Sequence, residues 1–115
     1  MVEIKIEGDA LTLEILGMHK IWALKSSLRF PLSSVRNVSI DPQLADKPRG
    51  LRAPGTYIPR MITAGTFYAD KKRWFWDVSN PNNAIVIELE GEKYQMVIVE
   101  VEKPNQVVGQ IKAAL

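Results

Sequence analysis

The sequence predicts a mostly β domain, in which a curled sheet is closed at one end by a C-terminal helix. Hydrophobic and polar residues alternate over most of the 115-residue chain, which is typical of strands with one buried face. Short turn sequences interrupt the alternation, and spacings of three and four residues replace it only after Pro104. These observations indicate seven to eight antiparallel strands followed by one helix.

The first predicted strands lie in residues 2–40. The opening strand is followed by Glu7-Gly8-Asp9, whose glycine and aspartate suit a tight turn, and a second alternating run follows at once. Pro31 is expected at a strand edge or bend, where its missing N–H is harmless. The predicted strands of this half cover residues 2–6, 11–15, 20–25, 28–30 and 35–40.

Residues 41–60 show no apolar periodicity. They contain four of the seven prolines and two of the seven glycines. Loops longer than about 12–15 residues are uncommon in compact domains and are usually functional or disordered. We therefore predict a long ordered loop, the flap loop, over residues 41–60.

The alternation resumes in residues 61–102, where strands are predicted over 61–69, 72–78, 84–90 and 93–102. Pro104 suits the first turn of a helix, and the apolar stripe that follows predicts a helix over 104–115. A helix this short is marginal alone in water, so it is expected to pack on the open end of the sheet.

One domain is expected over residues 1–115, because this length supports one core without disulfides. The chain has no cysteine and a single histidine, His19, so neither a thiol nucleophile nor a cysteine- or histidine-based metal site is expected. The glutamates of the last two strands, including Glu100 and Glu102, alternate and are expected to face solvent instead of forming a buried acid–base pair. We predict that the protein is not an enzyme and holds no metal or cofactor.

The net charge of +2 is too small to favour a nucleic-acid partner. Its distribution is uneven, because residues 41–77 carry a net charge of +3, which would attract an anionic partner. No apolar run approaches the roughly 20 residues of a membrane-spanning helix, and the N-terminus does not resemble a signal peptide. A cytoplasmic location is expected.

The flap loop is the first candidate binding site. Arginine side chains suit carboxylate and phosphate groups, and glycine-rich turns expose backbone N–H groups to an anion. The alternative is that these cations are solvated or pair with nearby aspartates to hold the loop in place. The candidate residues of the loop are Lys47, Arg49, Arg52, Tyr57 and Arg60.

The second candidate is the strand predicted over 72–78. Trp74, Phe75 and Trp76 place large aromatic side chains on both of its faces, so one face is core and the other is either core or an interface. Arg73 belongs to the basic turn Lys71-Lys72-Arg73, which suits an acidic partner or a membrane surface. The alternative is an ordinary solvated hairpin tip.

The segment Arg49–Pro59, followed by Ala64-Gly65-Thr66-Phe67 and Phe75-Trp76, resembles bacterial pleckstrin-homology-like domains. The ending Val99–Pro104, which leads into the helix, is similar too. The resemblance implies a half-open barrel of two near-orthogonal sheets with a C-terminal capping helix, and a non-catalytic role. The acidic first turn departs from the basic first turn of phosphoinositide-binding members.

These observations together predict a non-catalytic binding or scaffold module. The expected partner is a protein or a second copy of the chain. The alternative is a small anionic ligand or a phosphorylated lipid head bound at the basic flap loop, and a membrane surface is a further possible partner.

Overall fold

A computed structural model describes residues 1–17, 27–46, 51–58 and 62–115, with backbone alone for 51–58 and 62. The short turns Leu32–Ser34 and Pro81–Asn83 are 3-10 helices. The α-helices within these residues are α1 (Pro42–Ala45) and α2 (Pro104–Ala114). The strands are β1 (Val2–Glu7), β2 (Ala10–Ile15), β3 (Ser27–Pro31), β4 (Val35–Ser39), β5 (Leu51–Ile58), β6 (Ile62–Ala69), β7 (Lys72–Val78), β8 (Ala84–Leu89) and β9 (Met96–Glu100).

The strands of the described residues form two sheets. One has three strands in the order β1-β2-β3, and the other has six in the order β4-β8-β9-β7-β6-β5. The predicted mostly β architecture with a C-terminal helix is confirmed, and the sheets do not join into a closed barrel. The expectation that all strands pair antiparallel is wrong for β7 and β9, which pair in parallel.

Strand β9 lies between β7 and β8, which are consecutive in sequence. The connection from β7 to β8 therefore crosses the end of β9. At this crossing the Glu100 carboxylate accepts hydrogen bonds from the backbone N–H of Ser79 at 2.8 Å and of Asn80 at 3.2 Å. The Val101 N–H donates to the Asn83 carbonyl at 3.0 Å. Glu100 is only 7% exposed, so it is a structural acceptor and not the solvent-facing glutamate that the alternation predicted.

The period of two along β7 places its side chains in two separate cores. Phe75 belongs to the larger core, between the six-stranded sheet, the three-stranded sheet and α2. Trp74 and Trp76 belong to a smaller core on the opposite face of the sheet, together with Ala45 of α1. Both faces of β7 are therefore buried.

Helix α2 confirms the predicted C-terminal helix. Its fully buried Ile111 enters the larger core, and Val107 and Val108 pack against the same core at partly buried positions. The helix contacts β4 and β8. In the part of the chain that the structure describes, neither helix has the length and apolar sequence needed to cross a membrane.

The predicted flap loop is wrong over two of its segments. Residues 42–45 form α1, whose Leu44 N–H is capped by the Asp41 carboxylate at 3.1 Å. Residues 51–58 form β5, an edge strand in which Pro54 is tolerated because the pairing with β6 is irregular between Arg52 and Gly55. The rest of this loop and the strand predicted over 20–25 lie outside the described residues.

The Glu100 contacts predict that alanine substitutions at Glu100 and at Glu102 have very different effects on the free energy of unfolding. Glu100→Ala leaves two backbone N–H groups without their charged acceptor, so it should lower the free energy of unfolding by about 2–3 kcal/mol. Glu102→Ala, at an exposed position, is the control and should change it by less than about 0.5 kcal/mol. Urea denaturation of both variants measures the difference, and equal losses would contradict the structural role of Glu100.

Candidate functional site

The hairpin of β6 and β7 ends in a two-residue turn. Asp70 and Lys71 have φ angles of 54° and 60°, so both adopt the left-handed conformation of a type I′ turn. Aspartate tolerates this conformation, whereas lysine adopts it at a steric cost. The turn holds Lys71 and Lys72 at an exposed tip.

The connection between β8 and β9 lies beside this hairpin. Gln95 holds the two together through two hydrogen bonds to the Arg73 backbone. Its side-chain oxygen accepts from the Arg73 N–H at 2.8 Å, and its backbone N–H donates to the Arg73 carbonyl at 3.0 Å. The Gln95 side-chain amide also donates to the Glu92 carbonyl at 2.9 Å. These bonds bring Lys93, which is distant in sequence, next to the basic turn.

These elements line a surface cavity of about 540 Å³, which we call the basic cleft. Four of its side chains are cationic and one is a carboxylate. The cleft is lined by Tyr68, Ala69, Asp70, Lys71, Lys72, Arg73, Lys93 and Gln95.

The cations of the basic cleft form no ion pair with any residue that the structure describes. Elsewhere in the described chain cations do find partners: Lys5 lies 3.2 Å from Glu14, and Arg36 pairs with Glu90. Positive charges that are close together and lack internal carboxylate partners produce a local positive potential. The cleft is therefore suited to an anionic group from outside the domain.

Tyr68 and Arg73 form the aromatic part of the cleft. They are directly opposite each other across the hairpin, and the Arg73 Cζ lies 5.3 Å from the centre of the Tyr68 ring, a cation–π contact. Tyr68 is 40% exposed, and the buried Nε of Arg73 has no hydrogen-bond partner. A half-exposed ring carrying a guanidinium offers both apolar area and a donor to a ligand.

Of the predicted site residues, the structure places Arg73 in the basic cleft. Arg52 and Tyr57 lie on the edge strand β5, opposite Phe67 and Thr63 of β6, where the backbone alone is described. The remaining flap-loop candidates, Lys47, Arg49 and Arg60, lie outside the described residues, as does His19.

Phe75 is in the core and cannot contact a partner. Its side chain is 0% exposed and packs edge-on against Tyr94, with ring centres 5.6 Å apart. The Tyr94 hydroxyl is 2.9 Å from the Thr66 hydroxyl, which satisfies both polar groups. Trp74 and Trp76 are 4% and 1% exposed, so the core alternative holds for both faces of β7 and the interface alternative is wrong.

Sequence reasoning missed Tyr68 and Lys93. The position of Tyr68 could have been predicted from the sequence, because a two-residue turn at 70–71 places residues 68 and 73 opposite each other. The position of Lys93 could not, because it depends on the parallel pairing of β9 with β7. Within the described ranges no three His, Cys, Asp or Glu residues are grouped so that they could hold a metal ion.

Comparison of the chain with protein-family models, curated proteins and solved structures found no match.

The left-handed turn predicts a stabilising substitution at Lys71. Lys71→Gly should raise the free energy of unfolding by about 1 kcal/mol, because glycine adopts the left-handed conformation without the Cβ clash. Lys72→Gly removes the same charge from the adjacent strand position and should lower stability instead. Thermal melting of both variants measures the contrast, and destabilisation by Lys71→Gly would show that the turn is not strained.

Proposed function

We propose that this chain is a non-catalytic binding module whose basic cleft captures an acidic segment of a partner protein. The observation that carries the proposal is a group of four cations, beside the half-exposed ring of Tyr68, that form no ion pair with any described residue. Charge attraction would guide the encounter, and the aromatic ring would add apolar contact area.

The composition of the cleft favours a peptide over a single phosphate group. Three of its four cations are lysines on exposed positions, which act as separate point charges, whereas tight phosphate binding commonly uses the paired donors of arginine. A volume of about 540 Å³ also accommodates several side chains of an extended segment.

A non-catalytic role is supported by what the buried carboxylates do. Asp77 is 0% exposed, and its carboxylate lies 3.1 Å from the N-terminal amino group, in a contact between β7 and the start of β1. Glu100 holds the crossing connection through two backbone N–H groups. Both carboxylates have structural partners, which argues against use in general acid–base chemistry.

One observation favours phosphorylated ligands as a second candidate. The Arg73 guanidinium lines the cleft beside Tyr68, so its N–H groups include donors of the kind that phosphate oxygens accept. This candidate uses Arg73 and Lys93 in place of the predicted flap-loop cations.

The relationship to bacterial pleckstrin-homology-like domains remains part of the proposal. Two sheets and the terminal helix α2 agree with it. The parallel pairing of β7 with β9 departs from an all-antiparallel arrangement.

Fluorescence anisotropy with a labelled oligoglutamate peptide tests the acidic-segment proposal. Lys72→Glu should weaken binding at least about tenfold, because it reverses one of the four charges, and binding of the wild type should weaken as salt is added. Lys103→Glu, at an exposed position outside the cleft, is the matched control and should bind nearly as well as the wild type.

Equal binding by the Lys72→Glu and Lys103→Glu variants would contradict the proposed cleft. The same assay with inositol phosphates and with inorganic phosphate separates the second candidate. Binding of these ligands but not of oligoglutamate, with loss in Arg73→Gln, would favour phosphate recognition over capture of an acidic segment.

A further inference from the structure

Strand β1 is an edge of the three-stranded sheet. It pairs with β2 on one side, and no described strand lies on its other side. The Leu16 N–H donates to the Met1 carbonyl at 3.0 Å, which shows that the odd-numbered residues of β1 direct their backbone groups toward β2. The backbone N–H and C=O groups of Val2, Ile4 and Ile6 therefore point outward, where a further strand would bind them.

The charged face of β1 is incompletely neutralised. Glu3 lies directly opposite Glu14 of β2 and forms no ion pair with a described residue. Lys5 lies 3.2 Å from Glu14, and its hydrogen bond to Glu14, with the charges of Glu14, Glu3 and Glu7, raises the pKa of Lys5. This face can accept a further cation beside Glu3 from the outer side of the strand.

We propose that β1 pairs antiparallel with β1 of a second copy of the chain, with Ile4 facing Ile4 across a two-fold axis. In this register Glu3 is opposite Lys5 of the second copy, and Lys5 is opposite its Glu3. Val2 is opposite Ile6, which is 36% exposed in one copy and gains an apolar neighbour. Two three-stranded sheets would become one continuous six-stranded sheet.

The direction of the outward backbone groups of β1 fits this register. The Ile4–Ile4 pair and the two Val2–Ile6 pairs occupy the hydrogen-bonded sites, and these are the residues whose backbone groups point outward. Glu3 and Lys5 occupy the non-hydrogen-bonded sites, where facing side chains are closest. Each copy uses the same patch, as a two-fold interface requires.

The charges also disfavour the neighbouring registers. A shift of two residues in one direction places Lys5 opposite Lys5, and a shift in the other places Glu3 opposite Glu3. A shift of one residue places charged residues opposite the apolar face. Charges on an exposed edge therefore select one pairing out of several. This surface is separate from the basic cleft, so the inference does not depend on the proposed function.

Charge-reversal variants at positions 3 and 5 test the pairing. Their association is measured by sedimentation velocity over a range of concentrations. The wild type should show a concentration-dependent dimer. Glu3→Lys and Lys5→Glu should each weaken it about tenfold or more, because both cross-strand pairs become like-charged. An equimolar mixture of the two variants should associate again, since every facing pair is then of opposite charge.

A monomeric wild type at every concentration, or a mixture that does not associate, would overturn the proposal. Circular dichroism and thermal melting establish that each variant is folded, which matters for Lys5→Glu because it also loses the contact with Glu14. Binding of oligoglutamate by these variants reports on the basic cleft independently.

A second measurement tests the register directly by disulfide crosslinking between copies. The chain has no cysteine, so single cysteines give an unambiguous crosslink. Mixing Glu3→Cys and Lys5→Cys variants under oxidising conditions should yield mainly the mixed disulfide between them, because their Cβ atoms face each other in a non-hydrogen-bonded pair. Crosslinks within either variant alone at an equal rate would contradict the register.

Discussion

The insertion of β9 between β7 and β8 is the constraint on which the rest of the molecule depends. All five residues of β9 are buried, and the strand separates the two cores on opposite faces of the six-stranded sheet. Because β9 runs parallel to β7, the two strands begin at the same edge, with Trp74 beside Met96. The residues before each strand are then neighbours, and this is why Lys93 and Gln95 lie beside the basic hairpin and the cleft exists at all.

Local patterns predicted the elements that depend on local sequence. The alternation gave the bounds of β7, Lys72–Val78, and the change of period gave α2. Strand order does not follow from alternation, because a buried strand has the same pattern whether its neighbour is parallel or antiparallel. Strand β5 was missed because Pro54 and Gly55 suppress the strand pattern, yet an edge strand with an irregular pairing tolerates both.

The residues of the candidate site also divide into those that local sequence predicts and those that depend on long-range strand pairing. Arg73 was predicted from a basic turn, and Tyr68 follows from the register of that turn, whereas Lys93 depends on a long-range pairing. Phe75 and Glu100 show the limit of period-two reasoning, which assigns a residue to a face but does not say what covers that face. Phe75 is covered by the three-stranded sheet and α2, and Glu100 by the connection that crosses β9.

The crossing of β9 by the connection from β7 to β8 has a consequence for the order of folding. Two antiparallel strands joined by a short connection normally pair early in folding. Here a direct pairing of β7 with β8 would occupy the place of β9. Such a premature hairpin must open before the native sheet can form, which makes it a natural kinetic trap. Strand β9 is made last of the three and must arrive from farther along the chain, so the slowest productive step is expected to be its entry into the gap.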